Sequence, residues 1–336
     1  MKPLVSILIP AYNAGPWIAD TIRSALGQTW SNKEVIVVVD DGSKDETLPV
    51  ARQFASKTVS VVIRSHQSAA AARNEAFDIC QGEWIQWLDA DDLLAPDKIA
   101  LQMQVSEQIA NTRTLLSSEF GYFFYRTSKA QFHPTPLWTD LSPEEWLLRK
   151  MGQNDHMQPA TWLVRREIIA AAGRFNEQVR VDEDGEYFCR LVLASDGIRF
   201  VPGAKVFYRV SGSGSSIQRT LFHADARWHS FQLQFAHLRS LGDTERVRAA
   251  CVNFLQNWLI FFYPQRPDIV KQAEELAASV GGRLETPRLR RKYVWVQKIL
   301  GYEAARRAQF FLPGLKGRAL RAWDRAMFQL EGRKAG

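Results

Sequence analysis

The chain has 336 residues, 46% of them hydrophobic and 24% charged, enough for one large core or two smaller ones. Three scattered cysteines, Cys80, Cys189 and Cys251, make neither a disulfide framework nor a zinc spacing and suit a reducing compartment. The opening MKPLVSILIP lacks the pattern of a secretory leader, and no clean apolar run of about 18 residues points to a spanning helix. The formal charge is +7, but residues 283–334 carry 14 Lys/Arg against 4 Asp/Glu, a net of +10, which leaves −3 for the remainder.

In chain order, Leu4 to Ile9 is a short apolar run that predicts a buried strand. Asn13 and Gly15 break it, and the spacing of Trp17, Ile18, Ile22 and Leu26 predicts a helix from Pro16 to Leu26. The run VIVVV at 35–39 is dense in β-branched residues and does not alternate, which fits a parallel sheet covered on both faces. A helix over 45–55, a strand over 59–63, a helix over 69–80 and a strand over 84–88 follow. These units predict an α/β architecture with loops gathered at the carboxyl ends of the strands, where open sheets bind ligands. Beyond them, a helix over 96–110, a strand over 115–125, a Pro- and aromatic-rich loop or ribbon over 132–141 and a helix over 183–194 are expected. A change to mainly helical character sets a boundary near residue 220. The aromatic-rich CVNFLQNWLIFFYP at 251–264 reads as a buried helix.

Several strand ends carry residues with chemistry. In IPAYNAG, Tyr12 can stack on a base or pack in an ordinary loop. In VVVDDGSKDET, Asp40 and Asp41 can accept from a nucleobase N–H or shape a turn, and Ser43 with Glu46 has capping-box spacing, the favoured role for Ser43. WLDADD places Asp89, Asp91 and Asp92 within four residues. Crowded like charges are costly without a cation, so a hard divalent ion such as Mg²⁺ or Mn²⁺, with open positions for phosphate oxygens, is one reading. An acidic turn in which Asp92 or Asp97 caps the next helix is the other. Arg73 and Asn74, at the start of the preceding helix, can reach a diphosphate or pair with that turn. In VDEDGEYFCR, the acids Asp182, Glu183 and Asp184 precede a helix whose packing face is Tyr187, Phe188 and Leu191. A carboxylate there can serve as general base or simply cap the helix.

Four segments in order, VSILIPAYNAGPWIADTIRSALGQTW, VVVDDGSKDET, AAARNEAFDICQGEWIQWLDADD and GRFNEQVRVDEDGEYFCR, resemble the family 2 glycosyltransferases over residues 3–210. The resemblance implies an inverting enzyme of GT-A fold, a Rossmann-like mixed sheet flanked by helices. Residues 1–220 would form the catalytic domain, with 1–110 the donor half and 111–220 the acceptor half, and 221–336 a mainly helical, basic extension. By resemblance, Pro10, Ala11 and Tyr12 shape the base and ribose pocket, and Asp41 holds the base ring nitrogen. Arg73 approaches the donor phosphates, Asp89 and Ala90 line the donor, and Asp91 with Asp89 binds Mn²⁺ or Mg²⁺. Asp184 is the catalytic base, with Glu183 beside it. The implied donor is a nucleotide sugar, a UDP-sugar first. The implied acceptor is a saccharide, lipid-linked or glycoconjugate hydroxyl in a bacterial polysaccharide or glycolipid pathway on the cytoplasmic side. Two departures stand out. The strand before Asp40 is one residue longer than usual, which a bulge or a displaced start would absorb. Ser211 and Gly212 replace a histidine in the loop Arg209–Ser216, expected to close over the donor.

Trp138, His156, Gln158, Trp162 and the loop near Arg180 are acceptor-side candidates, each equally readable as packing. The basic tail reads either as amphipathic helices on an anionic membrane, with Trp295, Phe310, Phe311, Leu312, Trp323 and Phe328 on the apolar side, or as a helical subdomain with its arginines in solvent. Nucleic acid is not an expected partner, because the basic residues match no recognition motif. A nucleotidyltransferase would need a basic, Gly-rich phosphate loop that PAYNAG is not. An inactive binding relative would have no need to keep Asp89, Asp91 and Asp184.

Overall fold

The computed structural model describes residues 2–40, 42–65, 68–211 and 223–334. The chain forms two compact units. One comprises Met1–Phe123, Ala130–Lys150 and Asp155–Arg209; the other comprises Phe124–Lys129, Met151–Asn154 and Val210–Gly336. The boundary expected near residue 220 and the loop residues 212–216 lie outside the described residues.

The first unit is built on a mixed sheet. Strands β1 (Val5–Ala11), β2 (Lys33–Asp40), β3 (Val59–Arg64) and β4 (Trp84–Trp87) pair in parallel in the order β3-β2-β1-β4. The sheet continues through β8 (Leu163–Arg165), β6 (Thr114–Phe123), β9 (Gly197–Arg209) and the two-residue β5 (Leu93–Leu94), and β7 (Gln131–Phe132) pairs with β6. Its helices are α1 (Ile18–Leu26), α2 (Thr47–Arg52), α3 (Ala69–Ile79), α4 (Lys98–Glu107), α5 (Pro143–Gly152, whose last residues belong to the second unit), α6 (Arg166–Ala172) and α7 (Glu183–Leu193). Val35, Val37 and Val38 are completely buried, as a strand covered on both faces requires.

The pairing of β1 with β2 runs unbroken from Val5↔Lys33 to Ala11↔Val39. Of the two alternatives for the longer strand, a bulge is therefore absent from this pairing. β1 also runs through Pro10. Leu8 gives its carbonyl to the Leu88 N–H, so Pro10, two residues on, turns to the same side. There β4 has already ended, and the missing N–H costs no ladder bond. Gly82 lets the chain enter β4 against β1, since a Cβ there would collide with Ser6 Oγ and its backbone. Helix α1 begins at Ile18 rather than Pro16, because the Trp17 and Ile18 N–H groups both close a turn onto the Ala14 carbonyl, at 2.8 and 2.9 Å.

The second unit is mainly helical, with α8 (Ala224–Arg239), α9 (Glu245–Leu259), α10 (Pro267–Ser279) and α11 (Val294–Lys334). The CVNFLQNWLIFFYP stretch is core as read: Cys251, Phe254, Leu255, Leu259 and Phe262 are buried, and Phe231 meets Phe254 and Trp258 at ring distances of 5.5 and 4.7 Å. α11 is two helical runs meeting at Gly301, whose φ of 81° suits glycine. One side of its longer run is fastened down. Arg306 donates to the Ile260 carbonyl at 2.9 Å, Phe310 stacks on Phe261, and Arg126 pairs with Asp324 at 2.7 Å and Glu331 at 2.8 Å. Among the described residues no helix is long and apolar enough to cross a membrane.

Candidate active site

The parallel register brings three chemistry-bearing strand ends to one edge of the sheet. Ala11 aligns with Val39, so the loop at Tyr12 leaves beside Asp40. Trp87 aligns with Leu8, so Asp89 emerges close to Pro10. Tyr12 is 51% exposed, whereas Ala11 is buried, which leaves the Tyr12 ring as the open surface of that loop. Asp40 is nearly buried and accepts the Gly42 N–H at 2.7 Å. Asp41 lies outside the described residues.

Ser43 does not cap a helix. Its hydroxyl accepts the Asn13 N–H at 3.2 Å, while Asn13 Oδ1 accepts the Lys44 N–H at 2.8 Å. Thr47 Oγ1 accepts from the Ala14 N–H at 2.7 Å and Asp45 from the Gly15 N–H at 2.8 Å. These bonds stitch the Tyr12 loop to the turn after β2. Burial works to raise the Asp45 pKa, but hydrogen bonds from Thr47 and Gly15 outweigh it and hold the carboxyl below its ordinary value. Ser43, which resembled the first residue of a capping box, serves a neighbouring loop instead, because α2 begins only at Thr47.

The acidic turn is held from two distant places. Thr21 Oγ1 donates to the Ala90 and Asp92 carbonyls at 2.9 and 3.0 Å. Arg209, at the end of β9, donates Nε to the Asp91 carbonyl at 2.7 Å and its N–H to Asp92 Oδ1 at 2.8 Å. Its guanidinium lies 4.5 Å from the ring centres of both Trp17 and Phe123. Asp92 is fully buried and its Oδ2 has no hydrogen-bond partner. Burial first, then the Asp91 and Asp89 charges, push its carboxyl well above the ordinary range. Neither Asp92 nor Asp97 caps the following helix with its side chain. The three crowded carboxylates of the sequence thus become two half-exposed ones, Asp89 and Asp91, over a buried acid. Among the described residues no group of three or more His, Cys, Asp or Glu stands ready to hold an ion by itself. Two half-exposed carboxylates do fit an ion of the Mg²⁺ or Mn²⁺ type, which takes one or two protein carboxylates and completes its shell with phosphate oxygens and water.

Arg73 joins this turn to the second acidic segment. Its buried guanidinium donates to Asp89 Oδ1 and Glu183 Oε1, both at 2.9 Å, and lies 5.2 Å from the Phe175 ring centre. Burial alone would lower the Arg73 pKa, yet Asp89, Glu183 and Asp184 together raise it and hold the group charged. Burial raises the Glu183 pKa, opposed by Arg73 and reinforced by Asp184. Glu183 opens α7, Asp184 sits in its first turn with Oδ1 accepting the Gly185 N–H at 2.9 Å, and Asp182 precedes them at a left-handed φ of 60°.

Asn74, next to Arg73, donates to the Phe175 carbonyl and to Glu177 Oε1 at 3.0 and 2.9 Å and accepts the Phe175 N–H at 3.0 Å. Arg73 and Asn74 lie in the middle of α3 rather than at its start, and through Asn74 the helix fixes the segment that leads into α7. Asn74→Ala removes all three bonds from a buried position and is expected to destabilise the protein by about 3 kcal/mol. Denaturant unfolding beside wild type checks this, and an unchanged midpoint would show that the segment is held otherwise.

The acceptor-side candidates separate. Trp162 is completely buried and stacks on Phe188 at 5.7 Å, so it is core and cannot stack on a sugar. Trp138 packs on Phe200 and Phe120, and Arg180 is exposed. Gln158 is buried and hydrogen-bonds Tyr208, whose pKa is raised by burial and then by the charges of Asp92, Asp89 and Asp91. His156 is open to solvent on one side while protein crowds it elsewhere. Crowding by the protein lowers its pKa against the pull of the Asp184 charge. Thr21 and Tyr208 were not singled out as site residues in the sequence, and Arg209 was named only as the first residue of the closing loop, because their partners are far along the chain.

A mixed sheet in this strand order, with acidic residues at its carboxyl edge and helices on its faces, defines a GT-A-type core. Residues 6–172 match the family described as Glycosyl transferase family 2. A stretch of 110 residues is 38% identical to an uncharacterized glycosyltransferase of Rickettsia typhi, covering 33% of this chain and 34% of that protein; the match spans about a third of such curated relatives. The glycosyltransferase GlyG of Streptococcus pneumoniae is 27% identical over 247 residues, 68% of this chain and 76% of GlyG. Among solved structures, residues 1–349 of Staphylococcus aureus TarS with UDP-GlcNAc superpose at a TM-score of 0.64 and 18% identity, over 83% of this chain and 84% of that one. The mannosyltransferase PcManGT of Pyrobaculum calidifontis, with GDP-Man and Mn²⁺, gives 0.54 at 17% identity, over 96% and 88%. The chain belongs to the family 2 glycosyltransferases.

Proposed function

We propose that the chain transfers a sugar, with inversion, from a nucleotide-sugar donor, a UDP-sugar, to a hydroxyl of a saccharide, lipid-linked or glycoconjugate acceptor. The observation that carries this is the Arg73 bridge, which ties Asp89 of the donor edge to Glu183 beside Asp184. It joins a donor-side carboxylate to a candidate base through one buried cation. TarS solved with UDP-GlcNAc and PcManGT with GDP-Man and Mn²⁺ are in keeping with such a donor.

In this reading Tyr12 stacks on the base, Pro10 and Ala11 shape the floor beneath it, and Asp41 accepts from the base ring N–H. Asp89 and Ala90 face the donor ribose and sugar, and Arg73 adds positive charge on the phosphate side. Asp91, with Asp89, would hold Mn²⁺ or Mg²⁺, which gathers the donor phosphates and offsets charge on the departing diphosphate. Asp184 accepts the proton of the acceptor hydroxyl. The freed oxygen forms a bond to the anomeric carbon from the face opposite the diphosphate, whose C–O bond breaks with the electron pair leaving on oxygen. A single displacement inverts the centre and needs no covalent intermediate. Glu183, fixed by Arg73, positions the start of α7. Sugar nucleotides are made in the cytoplasm, and we place the reaction there, at or near the inner face of the plasma membrane, in assembly of a bacterial polysaccharide or glycolipid.

Calorimetric titration of UDP, GDP, TDP, CDP and ADP, each with Mn²⁺ or with chelator, tests the reading. UDP is expected to bind at least about tenfold more tightly than the others and only with the metal. A folded protein that binds none of them would overturn the donor assignment.

A further inference from the structure

The exposed side of α11 is unusual for a helix end. At 100° per residue, Leu312, Leu315, Ala319, Trp323, Ala326 and Leu330 fall within an arc of about 80°. Of these, Leu312, Leu315, Trp323 and Leu330 are 50, 57, 60 and 48% exposed. The side that holds the helix down, through Arg306, Phe310, Asp324 and Phe328, lies roughly opposite. Arg307, Arg318 and Arg325 line one border of the apolar arc, and Lys316 lies on the other. The acids of this run do not interrupt it. Asp324 and Glu331 pair with Arg126, and Glu303 pairs with Arg307. Upstream of Gly301, Trp295 and Ile299 form a further exposed apolar pair one turn apart, 63 and 71% exposed.

We infer that this face of α11 is a docking surface for an anionic lipid bilayer, with the helix lying in the plane of the interface. An apolar stripe bordered by arginines, with tryptophan among its residues, matches a bilayer whose hydrocarbon begins just beneath negatively charged headgroups. Charge decides against a second copy of the chain. The segment from residue 283 to 334 carries a net of +10, and self-docking would press two such rows together, whereas an anionic surface neutralises them. The stripe from Leu312 to Leu330 is about 27 Å long at 1.5 Å per residue and only one face wide, so it rests on the membrane and does not cross it. This inference goes beyond the transfer reading and stands without it.

The test is co-sedimentation of the full chain with phosphatidylcholine vesicles, alone or containing about 30% phosphatidylglycerol, with the nucleotide titration run in parallel. The full chain is expected to bind the anionic vesicles at least about tenfold more strongly than the neutral ones, less so in high salt. Leu312→Glu/Leu315→Glu, on the exposed stripe, is expected to lose this binding about tenfold or more. Arg318→Glu/Arg325→Glu is expected to lose the preference for anionic lipid, and both variants should bind nucleotide as wild type does. Equal binding to both vesicle types, binding to neither, or undiminished binding by Leu312→Glu/Leu315→Glu would overturn the inference. So would a concentration-dependent dimer that the leucine variant abolishes, which would assign the face to a second copy.

Discussion

Asp184→Asn is expected to lower sugar transfer by about 10³-fold while leaving donor affinity near wild type. The substitution changes almost nothing in shape, and Oδ1 can still accept the Gly185 N–H that Asp184 accepts at 2.9 Å. The Arg73 bridge to Asp89 and Glu183 does not involve residue 184 as a hydrogen-bond partner, so the donor edge keeps its geometry. What is lost is the ability to take a proton from the acceptor hydroxyl, and no covalent intermediate offers another route. Initial transfer rates paired with calorimetric donor titration separate the outcomes. Loss of donor binding with residual transfer intact would remove Asp184 from the role of base.

The second large effect is expected at the acidic turn. Asp91→Ala should weaken donor binding in Mn²⁺ by about 10²-fold and leave binding in chelator unchanged. The asymmetry follows from the turn itself. Its backbone is held by Thr21 and Arg209 through carbonyl groups at residues 90, 91 and 92, so removing the Asp91 carboxylate leaves those bonds in place. Asp92 cannot substitute for it, since it is fully buried and bonded to the Arg209 N–H. Titration of the variant with and without Mn²⁺ checks the expectation. Wild-type affinity under both conditions would take the ion away from Asp91.

Much of this was readable along the chain. The VIVVV run reported a strand buried on both faces, since only such a strand dispenses with alternation. The helices at Ala69–Ile79 and Glu183–Leu193 appear within a residue of their expected bounds, because their apolar spacing and bordering turns are local signals. The aromatic stretch in α9 was legible as core for the same reason. What the sequence misread or left open has one cause. Ser43 has the local pattern of a cap but bonds to Asn13, 30 residues away. Trp162 has the chemistry of a sugar platform but is completely buried. Local pattern names what a side chain is able to do, and the partner that claims it comes from elsewhere in the chain.

The acidic segments, their order, the basic tail and the family they resemble were therefore determined by the sequence itself. Tertiary structure alone decided which of three neighbouring aspartates is buried and that Arg73 spans Asp89 and Glu183, 16 and 110 residues away. It also decided that Arg209, 118 residues beyond Asp91, holds the acidic turn, and which face of α11 is fastened down. Each of these is a long-range pairing or a burial. Its energy comes from desolvation and geometry that exist only once the strands have been brought side by side.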